Sequence, residues 1–163
     1  MKSRFLLALF TLFALSFSGC GQKSGFSFFS EDRPYERAIG YTKKGEIIVS
    51  MENKAFLIAT YLNPIYEKYN DGEYFFVRVY IDNDFSKENM SGLHNPKYHL
   101  LLNGNEPLEI KRLSMEDPLV KEMPMVKPWY KIYLVKFPKE SKKLNLVLKS
   151  DDYGQTTLTF SAP

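Results

Sequence analysis

Beyond residue 30 the apolar positions of this chain recur with a period of two rather than 3.6. Short runs rich in Val, Ile, Tyr, Phe and Thr are separated by Gly, Pro, Asn and Asp, the pattern of strands joined by turns. Arg37–Lys43 and Glu46–Met51 read as a hairpin closed around Lys44-Gly45. Ala55–Leu62 is continuously apolar, which suits either a buried helical turn or a central strand. Its Phe, Ile, Thr and Tyr, with Pro64 just beyond, favour the strand. The clearest strand is Tyr74–Ile81. Phe75, Val77, Val79 and Ile81 point one way, and Tyr74, Phe76, Arg78 and Tyr80 the other. One face is wholly apolar and the other amphipathic, as in a sheet with a single core face.

Lys97–Leu102 and Pro107–Leu113 flank Asn103-Gly104-Asn105. Asn-Gly reaches positive φ cheaply, so this reads as a second hairpin. Ser114–Pro128 carries three prolines and reads as a long irregular connection. Trp129–Phe137, Lys143–Lys149 and Gln155–Ser161 complete the set, the last two joined by a turn at Asp151-Asp152-Tyr153-Gly154. Leu144, Leu146 and Leu148 alternate cleanly, as do Leu158 and Phe160. Nine short strands and no convincing amphipathic helix predict an all-β, antiparallel, immunoglobulin-like β-sandwich. A small β-barrel is the alternative. The chain lacks the repeated long hairpins such a barrel needs, and proline interrupts it often.

The first residues follow another rule. Lys2 and Arg4 precede an apolar run, Phe5–Phe17, broken only by Thr11 and Ser16. A basic head, a short apolar core and small residues at a cleavage site define an export signal. The run is short for a membrane span, which needs roughly 20 apolar residues. Ser18-Gly19 stands directly before Cys20, the single cysteine of the chain. Phe17-Ser18-Gly19-Cys20 resembles the lipobox of bacterial lipoproteins, although Phe17 stands where Leu is usual. That resemblance implies cleavage before Cys20, diacylglyceryl attachment to its sulfur and membrane anchoring without a spanning helix. Gly21 in place of Asp implies the outer membrane if the host is Gram-negative. The domains expected are a signal peptide over 1–19, a lipid-anchored tether over 20–30 and the sandwich over 31–163. Phe26, Phe28 and Phe29 in the tether are expected to dock on the domain, with the lipid interface as the other place for them.

Removing the leader's two cations leaves a net charge of about +1, from 22 Lys and Arg against 19 Asp and Glu in the whole chain. So balanced a chain lacks the basic face of a nucleic-acid binder. With Cys20 acylated no thiol remains for a disulfide, so packing must hold the domain. From Gly40 to Pro163 the mature chain resembles the small immunoglobulin-like lipoproteins of Campylobacter-type bacteria. The resemblance is carried by Thr60-Tyr61-Leu62-Asn63-Pro64, the strand Tyr74–Tyr80 and the closing hairpin up to Phe160. These are core and turn residues, so it implies a fold and transfers no functional site.

Chemistry is sparse. His94 and His99 are the only imidazoles, and no Gly-x-Ser-x-Gly elbow accompanies them. No enzyme activity and no cofactor are expected. Asp82-Asn83-Asp84-Phe85-Ser86-Lys87-Glu88 alternates oxygen donors as a calcium loop does, but Lys87 stands where the loop needs Gly and Leu93 where it needs Glu. A solvated loop is expected there. Met90, Met115, Met123 and Met125 with the two histidines suggest a soft-metal site, yet in no defensible spacing, so no metal is expected. What remains is a lipid-anchored envelope module that binds a protein partner, with a ligand or metal carrier as the alternative. The candidate partner loops are Asn63–Gly72, with Tyr66 and Tyr69, and Ser114–Pro128, with Met123 and Met125. Loop tyrosines offer large contact area at low entropic cost, and exposed methionines adapt to varied partners. The competing expectation is that both loops fold back and bury these residues.

Overall fold

The computed structural model describes residues 34–140 and 143–162. The chain divides into Met1–Asp32 and Arg33–Pro163, and the described residues belong to the second unit. Cys20 and the phenylalanine-rich tether lie outside them. In order, the elements are α1 (Pro34–Gly40), β1 (Thr42–Val49), β2 (Glu52–Tyr61), β3 (Glu73–Ile81), β4 (Tyr98–Leu102), β5 (Glu109–Leu113), α2 (Pro118–Lys121), β6 (Lys131–Phe137), β7 (Lys143–Ser150) and β8 (Gly154–Ser161).

The strands form two sheets, β1-β2-β3-β6-β5 and β4-β7-β8, with every ladder antiparallel. The order β2-β3-β6-β5 facing β4-β7-β8 is the four-on-three arrangement of a constant-type immunoglobulin domain, and β1 adds a fifth strand beside β2. The core between the sheets is built from alternating positions. Phe75, Val77 and Val79 of β3 meet Leu144, Leu146 and Leu148 of β7 and Leu158 and Phe160 of β8. The alternation read from these strands is therefore the alternation observed.

Two turns differ from expectation. Lys44-Gly45 is no turn: β1 runs straight through it, and the chain reverses at Ser50-Met51, where φ is 50° and 68°. The nine predicted strands thus become eight among the described residues, and Arg37 belongs to α1. Gly45 serves a close approach instead. A Cβ there would stand 2.3 Å from Thr156 Oγ1 and 3.0 Å from Leu158 Cδ2, so its bareness lets β1 lie against β8. Asn103-Gly104 does make the tight reversal, with Leu102 and Asn105 exchanging hydrogen bonds of 2.9 and 2.8 Å. The chain then leaves for the other sheet, so β4 and β5 are not hairpin partners.

The second face of β3 is also covered. Phe76 and Arg78 are fully buried. A second apolar cluster joins Phe76, Leu113 and Ile132 to Ala38 of α1, Leu62, Ile65, Val120 and Met123. The centre of the large sheet thus has two dry faces, one against the small sheet and one under loops.

Candidate functional site

The covering layer is made by the two segments singled out as binding loops. The first, 62–72, opens with a helical turn in which Ile65 N and Tyr66 N both donate to Leu62 O at 3.0 Å. Asn63 closes it: its Nδ2 donates to Gly72 O at 2.7 Å, and its Oδ1 accepts from Tyr74 N at 2.9 Å. Gly72 is forced by space, since a Cβ would stand 2.6 Å from Phe137 O. This places Tyr66 edge-on to Tyr69 at 5.9 Å and Tyr69 against Tyr74 at 4.6 Å. Lys68 Nζ lies over the Tyr66 and Tyr69 rings at 5.3 and 5.1 Å. Both tyrosines are half-buried against the second cluster. Burial, reinforced by a hydrogen bond donated to the Glu122 carboxylate, pushes the Tyr66 phenol well up.

Glu122 belongs to the second segment, a strap over 114–130. Asp117 caps α2 by accepting from Leu119 N at 2.9 Å, with Pro118 as the first helical residue. The single turn of α2 turns Val120 and Met123 into the covering layer, and Met123 is only 4% exposed. Met125 lies the other way, 50% exposed, with φ of 57°. A left-handed conformation costs a non-glycine residue roughly 1–2 kcal/mol. The four residues proposed from sequence therefore separate. Tyr66 and Tyr69 are partly withdrawn, Met123 sits in the core layer and cannot meet a partner, and Met125 is displayed.

The strap borders a groove of about 420 Å³, lined by Glu88, Arg112, Met115, Pro128, Tyr130 and Ile132 among others. Arg112 Nε meets Glu88 Oε1 at 3.2 Å, and its guanidinium lies 5.7 Å from the Tyr133 ring. Trp129 packs on Tyr130 at 6.0 Å and is 61% exposed; Met115 is 46% exposed. Sequence reading passed over this groove. Trp129, expected to open a strand, instead lies two residues before β6 and is exposed.

The remaining candidates resolve into structural roles. Asp84 does not turn its oxygens towards a shared centre. Oδ2 accepts from Gly92 N at 2.7 Å and Lys131 Nζ at 2.5 Å, and Oδ1 from Phe85 N at 2.9 Å and Asn95 Nδ2 at 3.0 Å. His94 packs edge-on to Tyr133 at 5.8 Å, and His99 lies 3.3 Å from Asp151. Among the described residues no three His, Cys, Asp or Glu side chains gather as a metal would require. The free edge of β4 is partly closed: Tyr98 N donates to Asn95 O at 3.0 Å and Leu102 N to Asn105 O at 2.9 Å. An added strand would find few open backbone groups there.

Fold and surface together define a β-sandwich of immunoglobulin-like strand order, with the centre of one sheet covered on both faces and a groove beside the strap lined by Arg112, Met115 and Tyr130. Comparison with family models, with curated proteins and with solved structures finds no significant match to this chain.

Proposed function

We propose that this protein is a lipid-anchored module of the bacterial envelope that docks a protein partner in the groove beside the strap. The observation that carries the docking is a concave site lined by Tyr130, Arg112 and Met115, with an exposed Trp129 packed on Tyr130 beside it. Trp, Tyr and Arg dominate the residues that carry binding energy, and Met and Arg are enriched where interfaces form. The anchor rests on Phe17-Ser18-Gly19-Cys20 after a short basic and apolar leader. Two or three acyl chains, each buried methylene contributing roughly 0.8 kcal/mol, hold a protein at a bilayer where a single short chain does not.

The test uses the full chain, cross-linked in intact cells through a photoreactive residue replacing Met115 and, separately, through one replacing Lys149 on the small sheet. A single adduct formed from position 115, absent from 149 and lost on adding Trp129→Ala, is the expected result. Identical adducts from both positions, or an adduct indifferent to Trp129→Ala, would overturn the docking reading.

A further inference from the structure

β5 ends the large sheet, and its outer edge is open. The other strand edges are guarded. β1 lies against β8 at Gly45, and the edge of β4 is partly closed by its own flanking turns. Every second residue of an antiparallel strand turns its N–H and C=O away from its neighbour. Among the described residues, no backbone group of Glu109–Leu113 bonds to anything beyond the ladder with β6. Ile110 packs towards the core between the sheets and Leu113 into the covering layer, so Glu109 and Lys111 share the Leu113 face. Arg112 meets Glu88, but neither Glu109 nor Lys111 has an ion-pair partner among the described residues. An unpaired acid and an unpaired base, two residues apart on one face of an open edge, complement the same sequence run antiparallel.

We propose that β5 pairs with β5 of a second copy of this chain, antiparallel and about a twofold axis at Ile110. Glu109 of each copy then faces Lys111 of the other, and the two Ile110 side chains face each other. A twofold axis perpendicular to the sheet keeps its two faces separate, so only residues of the same face are opposed, as these are. The register in which all five residues overlap sets Lys111 against Lys111, which like charge disfavours. Slipping one strand by two residues exchanges that clash for two opposite-charge pairs. A lysine on an edge strand guards against chance pairing. Here it blocks the full overlap and leaves the slipped register. Ile110 is half-buried and lines a cleft of about 220 Å³ with Leu93, Leu100 and Pro107, so the second isoleucine extends an apolar surface already begun. Pairing uses the open edge of both copies, so the assembly closes at two.

The test uses the full chain carrying Cys20→Ser, so that an introduced cysteine is the only thiol. Ile110→Cys should form a disulfide-linked dimer on mild oxidation, since directly opposed residues bring their Cβ atoms near disulfide range. Lys149→Cys, on the small sheet, should not. Light scattering on the chain without either thiol should give twice the mass of one copy. Lys111→Glu should weaken association about tenfold, and adding Glu109→Lys to it should restore association, which a mere change in stability would not do. A single-copy mass at every concentration overturns the proposal without any variant having to fold. So does equal cross-linking from positions 110 and 149, or a double charge reversal that associates no better than Lys111→Glu. The dimer rests on neither the lipid anchor nor the groove, and a monomeric chain leaves the test of partner docking untouched.

Discussion

The Tyr61 hydroxyl donates to Glu73 Oε2 at 2.6 Å inside the end of the sandwich, where both residues are buried. The same carboxylate accepts from Asn63 Nδ2 at 3.2 Å and, through Oε1, from Glu140 N at 3.1 Å. One acid thus ties the end of β2, the start of β3 and the connection leaving β6. Glu73→Ala should lower unfolding free energy by about 2–3 kcal/mol, because one buried and two part-buried donors lose their acceptor. Tyr61→Phe should cost about 1 kcal/mol, since it leaves the other bonds of the carboxylate in place. Chemical denaturation of both variants checks the order, and a milder loss for Glu73→Ala would refute the tie.

Asp84 gives the domain a defined acid response. Burial disfavours its charge, but the Lys131 ammonium, the Gly92 N–H and the Asn95 amide outweigh burial and hold the carboxyl below its ordinary range. A depressed folded pKa contributes stability that is present above the unfolded value, about 4, and is lost as pH falls through the folded one. Thermal melts between pH 6 and pH 2 should therefore show a decline below about pH 4 that is shallower in Asp84→Asn. Parallel declines in the two proteins would mean that Asp84 contributes nothing to it.

The tyrosine loop and the tryptophan rim should separate in a stability measurement. Tyr66→Ala with Tyr69→Ala removes rings packed on the covered sheet face and should cost on the order of 3 kcal/mol. Trp129→Ala removes a mostly exposed ring and should stay within about 0.5 kcal/mol of wild type. A stable tyrosine double variant would mean that the loop rests on the sheet without supporting it.

Val79 lies in the core between the sheets and is fully buried. Val79→Asp places a charge there with no partner and should prevent folding. Native-like near-ultraviolet circular dichroism from that variant would show that the faces of β3 are assigned wrongly.

In the proposed anchor the acyl chains attach through the Cys20 sulfur, so Cys20→Ser should leave the precursor uncleaved or release the protein from membranes. Fractionation of cells expressing it reads the result directly. Unchanged processing and membrane attachment would remove the lipid anchor from the proposed function.

Strands with strict alternation were legible in the sequence, because one residue in two had to enter the core. Leu144, Leu146 and Leu148 could have pointed nowhere else. Gly45 misled because a glycine at a turn and a glycine at a close approach look alike, and only Thr156, more than a hundred residues on, tells them apart. Arg78 looked like the wet side of a sheet. What dries that face is a strap whose residues have no periodicity to announce where they will lie. The groove was hidden for the same reason: its walls come from β5, β6 and the loop holding Glu88, and no local pattern joins them.

The close approach at Gly45 also decides how the domain can be rewired. Lys43 Nζ lies 5.6 Å from the Phe160 ring, so the opening of the first strand and the close of the last share one pole. The Ser50-Met51 reversal is at the opposite pole. A circular permutant could begin at Met51 and return through a glycine linker from Ser161 to Pro34, keeping α1 in the covering layer and β1 pressed against β8. Cutting at Ser50-Met51 would also release two residues from left-handed backbone. A chain rearranged in this way would carry its free ends at the Ser50-Met51 pole and leave the Lys43–Phe160 pole closed.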